Sequence, residues 1–435
     1  MPINSFLYPG AKFTPAYQVA NSCMFNDGDS PSLKDGDGSA PAGTRTKWTW
    51  SIWFKRGVLG TTQTLGAASY SSSDEGYIQI NSDDKFEWDS TDSADGNLIT
   101  NRVFRDVSAW YHIVVAVDTT QGTASNRMKI YVNGTQETSF ATETYPNEDR
   151  GVYWNVGGTY YPWIGRKHGG DHFDGYIAEV ALIDNQQLAA TSFGEYDEDS
   201  PTIWIPKDIS GLTFGTAGYH LDFEDSSAFG NDVSGVGNHF GTVANLAATD
   251  QAVDSPTNSF CTMNPLDKKT GGTYTFSEGN LQVEQDIIRG TLSNFGMTAG
   301  KWYAEAKFVS TNSDSCRIGI VGISSVDNDN PGKPATGYVY DQDGNKSNNN
   351  TAASYGDTYS TGDIIGIAVD LTNLKIYFSK NGTFQDSGDP TSGGTGTGAA
   401  YTITAASGTP AGAYFFTHCD NADTNKVFWN FGSPA

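Results

Sequence analysis

Val115-Ala116-Val117-Asp118, a polar insert, then Met128-Lys129-Ile130-Tyr131-Val132-Asn133-Gly134 is matched far downstream by Ile367-Ala368-Val369-Asp370-Leu371-Thr372-Asn373-Leu374-Lys375-Ile376-Tyr377-Phe378-Ser379-Lys380-Asn381-Gly382. Each stretch reads as an apolar strand ending in Asp, a turn, a second strand around Lys-Ile-Tyr, and an Asn-Gly turn. Asn-Gly is the preferred pair where a tight turn needs positive φ. Both are read as the central hairpin of a β-sandwich. The chain is therefore expected to be all-β, with two antiparallel sandwiches of related build and an irregular segment between them.

The composition agrees. The 435 residues allow two or three domains with separate cores, and 50 Gly with 22 Tyr, 23 Phe and 10 Trp suit many short strands and turns. No convincing helical period exceeds about three turns; the best short candidate is Asn185 to Phe193. The formal charge of −24, from 50 acidic and 26 basic residues, repels phosphate backbones and speaks against nucleic acid as a partner. Cys23, Cys261, Cys316 and Cys419 lack CxxC spacing and nearby histidines, so they are expected as buried thiols rather than zinc ligands. Met1 to Phe6 has neither the basic nor the apolar part of a signal peptide, and no apolar run reaches the roughly 20 residues of a membrane span. A chain made in the cytoplasm, without membrane insertion, is expected.

Residues 1–21, with Pro2, Pro9 and Pro15, read as an extended arm of the kind that attaches a domain to a neighbour, or as a simple tail. Residues 22–193 read as the first sandwich. In Trp48-Thr49-Trp50-Ser51-Ile52-Trp53-Phe54, the residues Trp48, Trp50, Ile52 and Phe54 share one face. Residues 194–265 hold too few apolar side chains for their own core and are expected to pack on the first domain or between domains. Residues 266–435 form the second sandwich, with Trp302, Ala304, Ala306 and Phe308 inward along one strand.

Two resemblances follow. The order Trp48-Thr49 to Phe54, Trp110-Tyr111-His112, Lys129-Ile130-Tyr131-Val132-Asn133-Gly134, Ile164-Gly165-Arg166 and Phe173-Asp174-Gly175-Tyr176 resembles the laminin-G-like, concanavalin-type jelly roll. Trp302-Tyr303, Arg317-Ile318-Gly319, Gly362-Asp363-Ile364-Ile365-Gly366, Ile376-Tyr377-Phe378 and the terminal Asn430-Phe431-Gly432 resemble the SPRY domain, which implies a binding module whose loops contact a partner. Trp204-Ile205-Pro206 and Tyr219-His220-Leu221-Asp222-Phe223, within 194–265, are similar to wording found in structural proteins of tailed bacteriophages. These resemblances imply a virion fibre or appendage subunit, joined to other virion proteins by its arm, homo-oligomeric, and binding host-surface glycan or protein. A decoration or adaptor protein contacting only virion neighbours, and a polysaccharide-degrading enzyme, are the alternatives.

No catalytic signature is found. The Glu-x-Asp-x-x-Glu run of concanavalin-type glucanases is absent, as are a Gly-x-Ser-x-Gly elbow and a P-loop. Sugar binding needs exposed aromatic faces beside amides and carboxylates. Trp154, Tyr160, Tyr161 and Trp163 are the candidates in the first domain, with packing against 204–240 as the alternative; Tyr338, Tyr340 and Asp341 are the partner-binding candidates in the second. Lectin-like folds often hold Ca²⁺, for which Asp171 and Asp174 are the candidate ligands, with the Asp27-Gly28-Asp29 and Asp35-Gly36-Asp37 turns as further sites.

Overall fold

The computed structural model describes residues 17–35, 41–267, 272–286, 290–310, 316–323, 330–420 and 425–432. Most of the arm, and Gly36 and Asp37, lie outside the described residues. The chain divides into two compact units that meet between Phe260 and Cys261. Among the described residues no helix is long and apolar enough to cross a membrane.

The first unit is a sandwich of two eight-stranded antiparallel sheets. One sheet runs, in spatial order, Thr135–Gln136, Met128–Val132, Tyr111–Asp118, Lys47–Arg56, Gly175–Asp184, Ser22–Phe25 and Gln251–Ala252, with Tyr219–Leu221 also paired to Gly175–Asp184. The facing sheet runs Phe140–Thr144, Asn97–Val103, Lys85–Ser90, Asp74–Ile80, Gln63–Ser71, Tyr161–Ile164, Ser32–Lys34 and Thr242–Ala244. Alternation delivers Trp48, Trp50, Ile52 and Phe54 to the space between the sheets, where all four are fully buried. They meet Trp88 and Trp154 there; Trp48 stacks on Trp154 with ring centroids 5.3 Å apart.

The second unit repeats the plan. Its larger sheet runs Tyr274–Ser277, Gln282–Gln285, Asn425–Asn430, Lys301–Ser310, Ile364–Asp370, Lys375–Lys380 and Thr383–Phe384, with Tyr401–Thr402 added to Lys375–Lys380. The other runs Thr291–Leu292, Phe415–Cys419, Arg317–Val321, Gly337–Asp341, Asn345–Asn348 and Thr351–Ser354. Ala304, Ala306 and Phe308 enter the core, and Trp302 packs half-buried at its margin.

The two hairpins that open the sequence are present, but neither is central. In each unit the hairpin lies to one side of a long Trp-bearing strand and is closed at the sheet edge by a two-residue strand. What repeats between the units is a set of side-chain bonds. Asp118 accepts from Thr120 Oγ1 (2.6 Å) and Gln121 Nε2 (2.9 Å) and pairs with Lys47 Nζ at 3.1 Å. Asp370 accepts from the Thr372 and Asn373 amides (2.9 Å each) and pairs with Lys301 Nζ at 3.3 Å. Both lysines begin the Trp-bearing strand that lies beside the hairpin. Burial alone would raise the Asp118 and Asp370 carboxyls, yet these donors outweigh it and hold both below the usual range. The Asn-Gly turns repeat as well. Asn133 (φ 46°) and Asn381 (φ 50°) are followed by Gly at φ 79° and 82°. Each Asn side chain accepts from a backbone amide across the sheet, His112 N at 2.7 Å and Ile364 N at 2.9 Å.

Residues 194–260 belong to the first unit. They supply strands to both of its sheets and cover the outer face of the first sheet. There Trp204, Phe193, Ile209 and Phe214 close over Trp53, Val114, Ala181 and Ile183. The Asn185 to Phe193 stretch expected to favour a helix forms only a single 3₁₀ turn at Ala190–Ser192. Its start is held extended, with the Leu188 amide bonded to Thr49 Oγ1 and the Gln187 amide group bonded to the Ala116 and Asn126 carbonyls.

Several buried polar groups under this cover are hydrogen-bonded to one another. Trp204 Nε1 donates to His112 Nδ1 at 2.9 Å, so His112 carries its proton on Nε2 and donates to Ser51 Oγ at 2.8 Å. In the second unit Trp429 Nε1 donates to His418 Nδ1 at 3.1 Å. Burial pushes both imidazoles down to about 3. His220 differs: burial alone would lower it, but its bond to Glu179 (2.8 Å) and the surrounding carboxylates raise it overall.

Two predictions follow from these contacts. Asn133→Ala, which loses a bond and strains a positive-φ position, costs about 1–2 kcal/mol, and Asn133→Gly costs less; denaturant unfolding of the two variants checks the order. His112 and His418 have folded values below the free value of 6.5. Stability is therefore unaffected by them above that pH and is lost as pH falls from 6.5 toward 3, because only the unfolded chain takes up the proton. His220 acts oppositely, adding stability below 6.5 that disappears as pH rises through its raised folded value. Urea titrations at several pH values are expected to show a flatter acid limb for His112→Gln and a flatter alkaline limb for His220→Gln.

Candidate functional site

The outer face of the second sheet of the first unit carries the densest aromatic surface. In Tyr161–Ile164, period-two alternation sends Ile164 into the core and Tyr161 and Trp163 outward. Trp163 pairs with Lys34 on one side and Ala67 on the other; Ala67 pairs with Tyr77, and Tyr77 with Asp89. Directly paired residues share a face, so Lys34, Trp163, Ala67, Tyr77 and Asp89 form one lateral row. The small side chain of Ala67 lies between the two large rings.

Cations lie over these rings. Lys34 Nζ is 3.7 Å from the Tyr161 ring centroid and 5.2 Å from that of Trp163. The Arg166 guanidinium carbon is 4.6 Å from the Trp163 centroid, and Lys167 Nζ is 4.1 Å from that of Tyr77. Beside this row stands a tyrosine stack. Tyr153 and Tyr160 are 5.7 Å apart and nearly parallel, and Tyr70, 55% exposed, tilts against Tyr160 at 5.7 Å. The turn from Gly157 to Tyr160, with Gly157 and Gly158 at φ 74° and 65°, presents Tyr160. Tyr160 also borders a small recess of about 30 Å³ lined further by Trp154, Asn155, Pro162, Tyr219 and Phe240.

The carboxylates of this face are engaged. Asp89 accepts from the Tyr77 hydroxyl (3.0 Å), Glu87 from Gln79 (3.1 Å) and Glu75 from the His168 amide (3.2 Å). Asp171 pairs with Lys167 at 2.9 Å.

Of the expected site residues, Tyr161 and Trp163 share this face under Lys34, whereas Tyr160 stacks with Tyr153 and Tyr70; all three are half-buried. The structure removes four. Trp154 is 2% exposed and packed among Trp48, Trp50 and Trp88, because its segment folds back over the sandwich end against Tyr219 and Phe240. Tyr338, Tyr340 and Asp341 lie on Gly337–Asp341, a strand paired on both sides and wholly buried. Tyr338 and Tyr340 point into the second core; the Tyr340 hydroxyl donates to the Asp357 carbonyl, and its ring packs on Tyr355, Tyr359 and Phe378. Asp341 faces Arg317 at 3.2 Å and accepts from Ser347.

The Ca²⁺ expectation also meets a geometry that does not suit it. Asp171 is exposed and paired with Lys167, whereas Asp174 is 1% exposed and accepts from the Asp27 amide at 3.4 Å, so the two do not converge as a ligand set. Among the described residues no group of three His, Cys, Asp or Glu side chains is placed to hold a metal ion.

Sequence reasoning missed Lys34, Arg166, Lys167, Tyr70 and Tyr77. Tyr77 was within reach of a period-two reading of its strand. Lys34 joins the row only through the pairing of two strands distant in sequence.

Comparison with known proteins gives two domain matches. The family described as the concanavalin A-like lectin/glucanases superfamily matches residues 28–190, and the SPRY domain matches residues 301–406. The chain thus carries a concanavalin-like domain followed by a SPRY domain. Among solved structures, the SPRY domain of human HERC1 is 15% identical, with 39% of this chain and 98% of that one covered at a TM-score of 0.29. Another human SPRY domain is 16% identical, with 38% and 98% covered at 0.28. A native heptameric SAP-like pentraxin from Limulus polyphemus is 16% identical, with 40% and 80% covered at 0.30. No curated protein matches the chain.

Proposed function

We propose that this protein is a non-catalytic binding protein that takes glycan on the outer face of the second sheet of its concanavalin-like unit. The observation that carries the reading is the pair of partly exposed rings Tyr161 and Trp163 on this face, with Lys34 and Arg166 over them. Sugar rings present apolar C–H faces that stack on such rings, while their hydroxyls need the neighbouring donors and acceptors. Concanavalin-like and SPRY domains often bind ligands or proteins. The setting we propose is a bacteriophage fibre or appendage subunit, homo-oligomeric, attached to other virion proteins through residues 1–21, with the SPRY unit meeting a protein partner. That setting is supported by the similarity of residues 194–265 to the wording of phage structural proteins.

Glu75 favours a second reading, polysaccharide hydrolysis. It stands on the same face, and burial raises its carboxyl above the usual range, as a general acid requires. Incubation with host polysaccharides and assay of reducing ends separates the two readings. Binding without release supports the first, and release abolished by Glu75→Gln supports the second.

Trp163→Ala and Tyr161→Ala are each expected to weaken glycan binding by about tenfold while leaving the unfolding midpoint nearly unchanged. A loss on the scale of a core Trp→Ala change, about 3–5 kcal/mol, would instead make Trp163 part of the core. Glycan-array binding and thermal unfolding of the full chain measure both.

A further inference from the structure

We propose that the ligand of this face is an acidic polysaccharide of the uronate class, its carboxylate held between Lys34 and Arg166 above Trp163. The inference rests on the glycan-binding reading above and names the chemistry that reading leaves open.

The protein is strongly acidic, with 50 Asp and Glu against 26 Lys and Arg, so carboxylate partners are plentiful. Most of its buried or half-buried cations are paired: Lys55 with Asp254, Arg56 with Asp84, Arg150 with Asp92 and Asp95, Arg317 with Asp341. On the aromatic face Lys167 is likewise neutralised by Asp171. Lys34 and Arg166 are not paired in this way, nor are Arg45 and Lys346, which bond backbone carbonyls instead; Lys34 and Arg166 stand out in sharing the Trp163 ring. Among the described residues neither has a carboxylate within ion-pair distance. Lys34 Nζ has only the Tyr161 and Trp163 rings for company, and Arg166 has one bond, from Nε to the Lys167 carbonyl at 3.0 Å.

These cations also lie over the rings on which a sugar would stack. Both are within 5.2 Å of the Trp163 centroid. Neither is fully solvated: both side chains are partly buried, and burial lowers the Arg166 guanidinium from its ordinary value. A half-desolvated cation with no counter-charge is poised to gain from an incoming anion, because the interaction forms in a medium less polar than water. The indole Nε1 of Trp163 is a further buried donor with no hydrogen-bond partner. Ser69, paired with Tyr161, has an unpartnered hydroxyl as well, so every unsatisfied group at this point is able to donate, which suits an acceptor ligand group.

The choice of carboxylate over sulfate follows from reach. In a uronate the carboxylate carbon is bonded directly to the sugar ring, so a ring stacked on Trp163 places its oxygens at the ring edge. A sulfate ester stands one bridging oxygen further out, beyond cations that sit above the indole. The planar Arg fork also matches a carboxylate in a bidentate manner.

The test uses the full chain and three pairs of probes: alginate and carboxyl-reduced alginate, a sulfated galactan and its desulfated form, and neutral dextran and mannan. Alginate is expected to bind, and carboxyl-reduced alginate about tenfold or more weakly. Lys34→Gln combined with Arg166→Gln is expected to abolish that preference, and Lys34→Arg to retain it. The unfolding midpoint is expected to be unchanged, since neither residue holds an ion pair in the fold. Equal binding of alginate and its carboxyl-reduced form overturns the uronate assignment and leaves the glycan-binding reading standing. Preference for the sulfated galactan with no alginate binding has the same consequence. A well-folded protein that binds none of the six overturns both. Alginate binding that survives in the double variant overturns the placement of the carboxylate.

Discussion

The register of one strand, Lys47–Arg56, fixes most of the first unit. It pairs with Tyr111–Asp118 along one side and Gly175–Asp184 along the other. A slip of one residue would turn Trp48, Trp50, Ile52 and Phe54 out of the core and bring Ser51, Trp53 and Lys55 in. The Asp118–Lys47 pair sits where that slip would be felt, and the second unit places Asp370 and Lys301 at the corresponding corner of Lys301–Ser310. Exposed ion pairs contribute little to stability. With one carboxylate nearly buried in each case, these contribute chiefly to choosing one alignment over its neighbours.

That strand is buried on both faces, and the reason is the segment that follows the jelly roll. Residues 194–260 hold too little apolar surface for their own core, yet they cover Trp53, Val114 and Ala181 with Trp204, Ile209 and Phe214. The cover is pinned at polar points as well as apolar ones. Lys55 and Asp254, both about 1% exposed, meet at 2.8 Å, with Trp110 Nε1 on the second carboxylate oxygen and the Phe260 carbonyl on the lysine. Such a pair offers little net stability over an apolar substitute, but removing one member strands a charge in the interior at about 3–5 kcal/mol. The same logic applies to His112, which has one tautomer that satisfies both Ser51 and Trp204. One face of the sandwich is thereby sealed. The outer face of the opposite sheet keeps its aromatic and cationic side chains partly open to solvent.

The all-β class, the two related sandwiches and the inward set of the Trp-bearing strand were legible in the sequence, because each rests on local periodicity and turn chemistry. Tyr160, Tyr161 and Trp163 were singled out from the density of aromatics in their segment; that Tyr161 and Trp163 share a strand face opposite Ile164 came from the sheet. Trp154 was misread because an aromatic in a Gly-rich loop looks surface-bound until the loop is seen to fold back on the core. Tyr338, Tyr340 and Asp341 were misread because strand order decides whether a strand is interior or at the edge, and order is not written along a single strand.

By itself the sequence determined the hairpins. Asn133-Gly134 and Asn381-Gly382 specify positive-φ turns, and the apolar runs ending in Asp118 and Asp370 specify the strands, because these are preferences of neighbouring residues. Tertiary structure alone decided where those hairpins lie in their sheets, which face residues 194–260 would cover, and that Lys34 would stand beside Tyr161 and Trp163. Those outcomes depend on pairing between segments from about sixty to well over a hundred residues apart. There the competition among burial, backbone hydrogen bonding and charge is settled only when the sheets close.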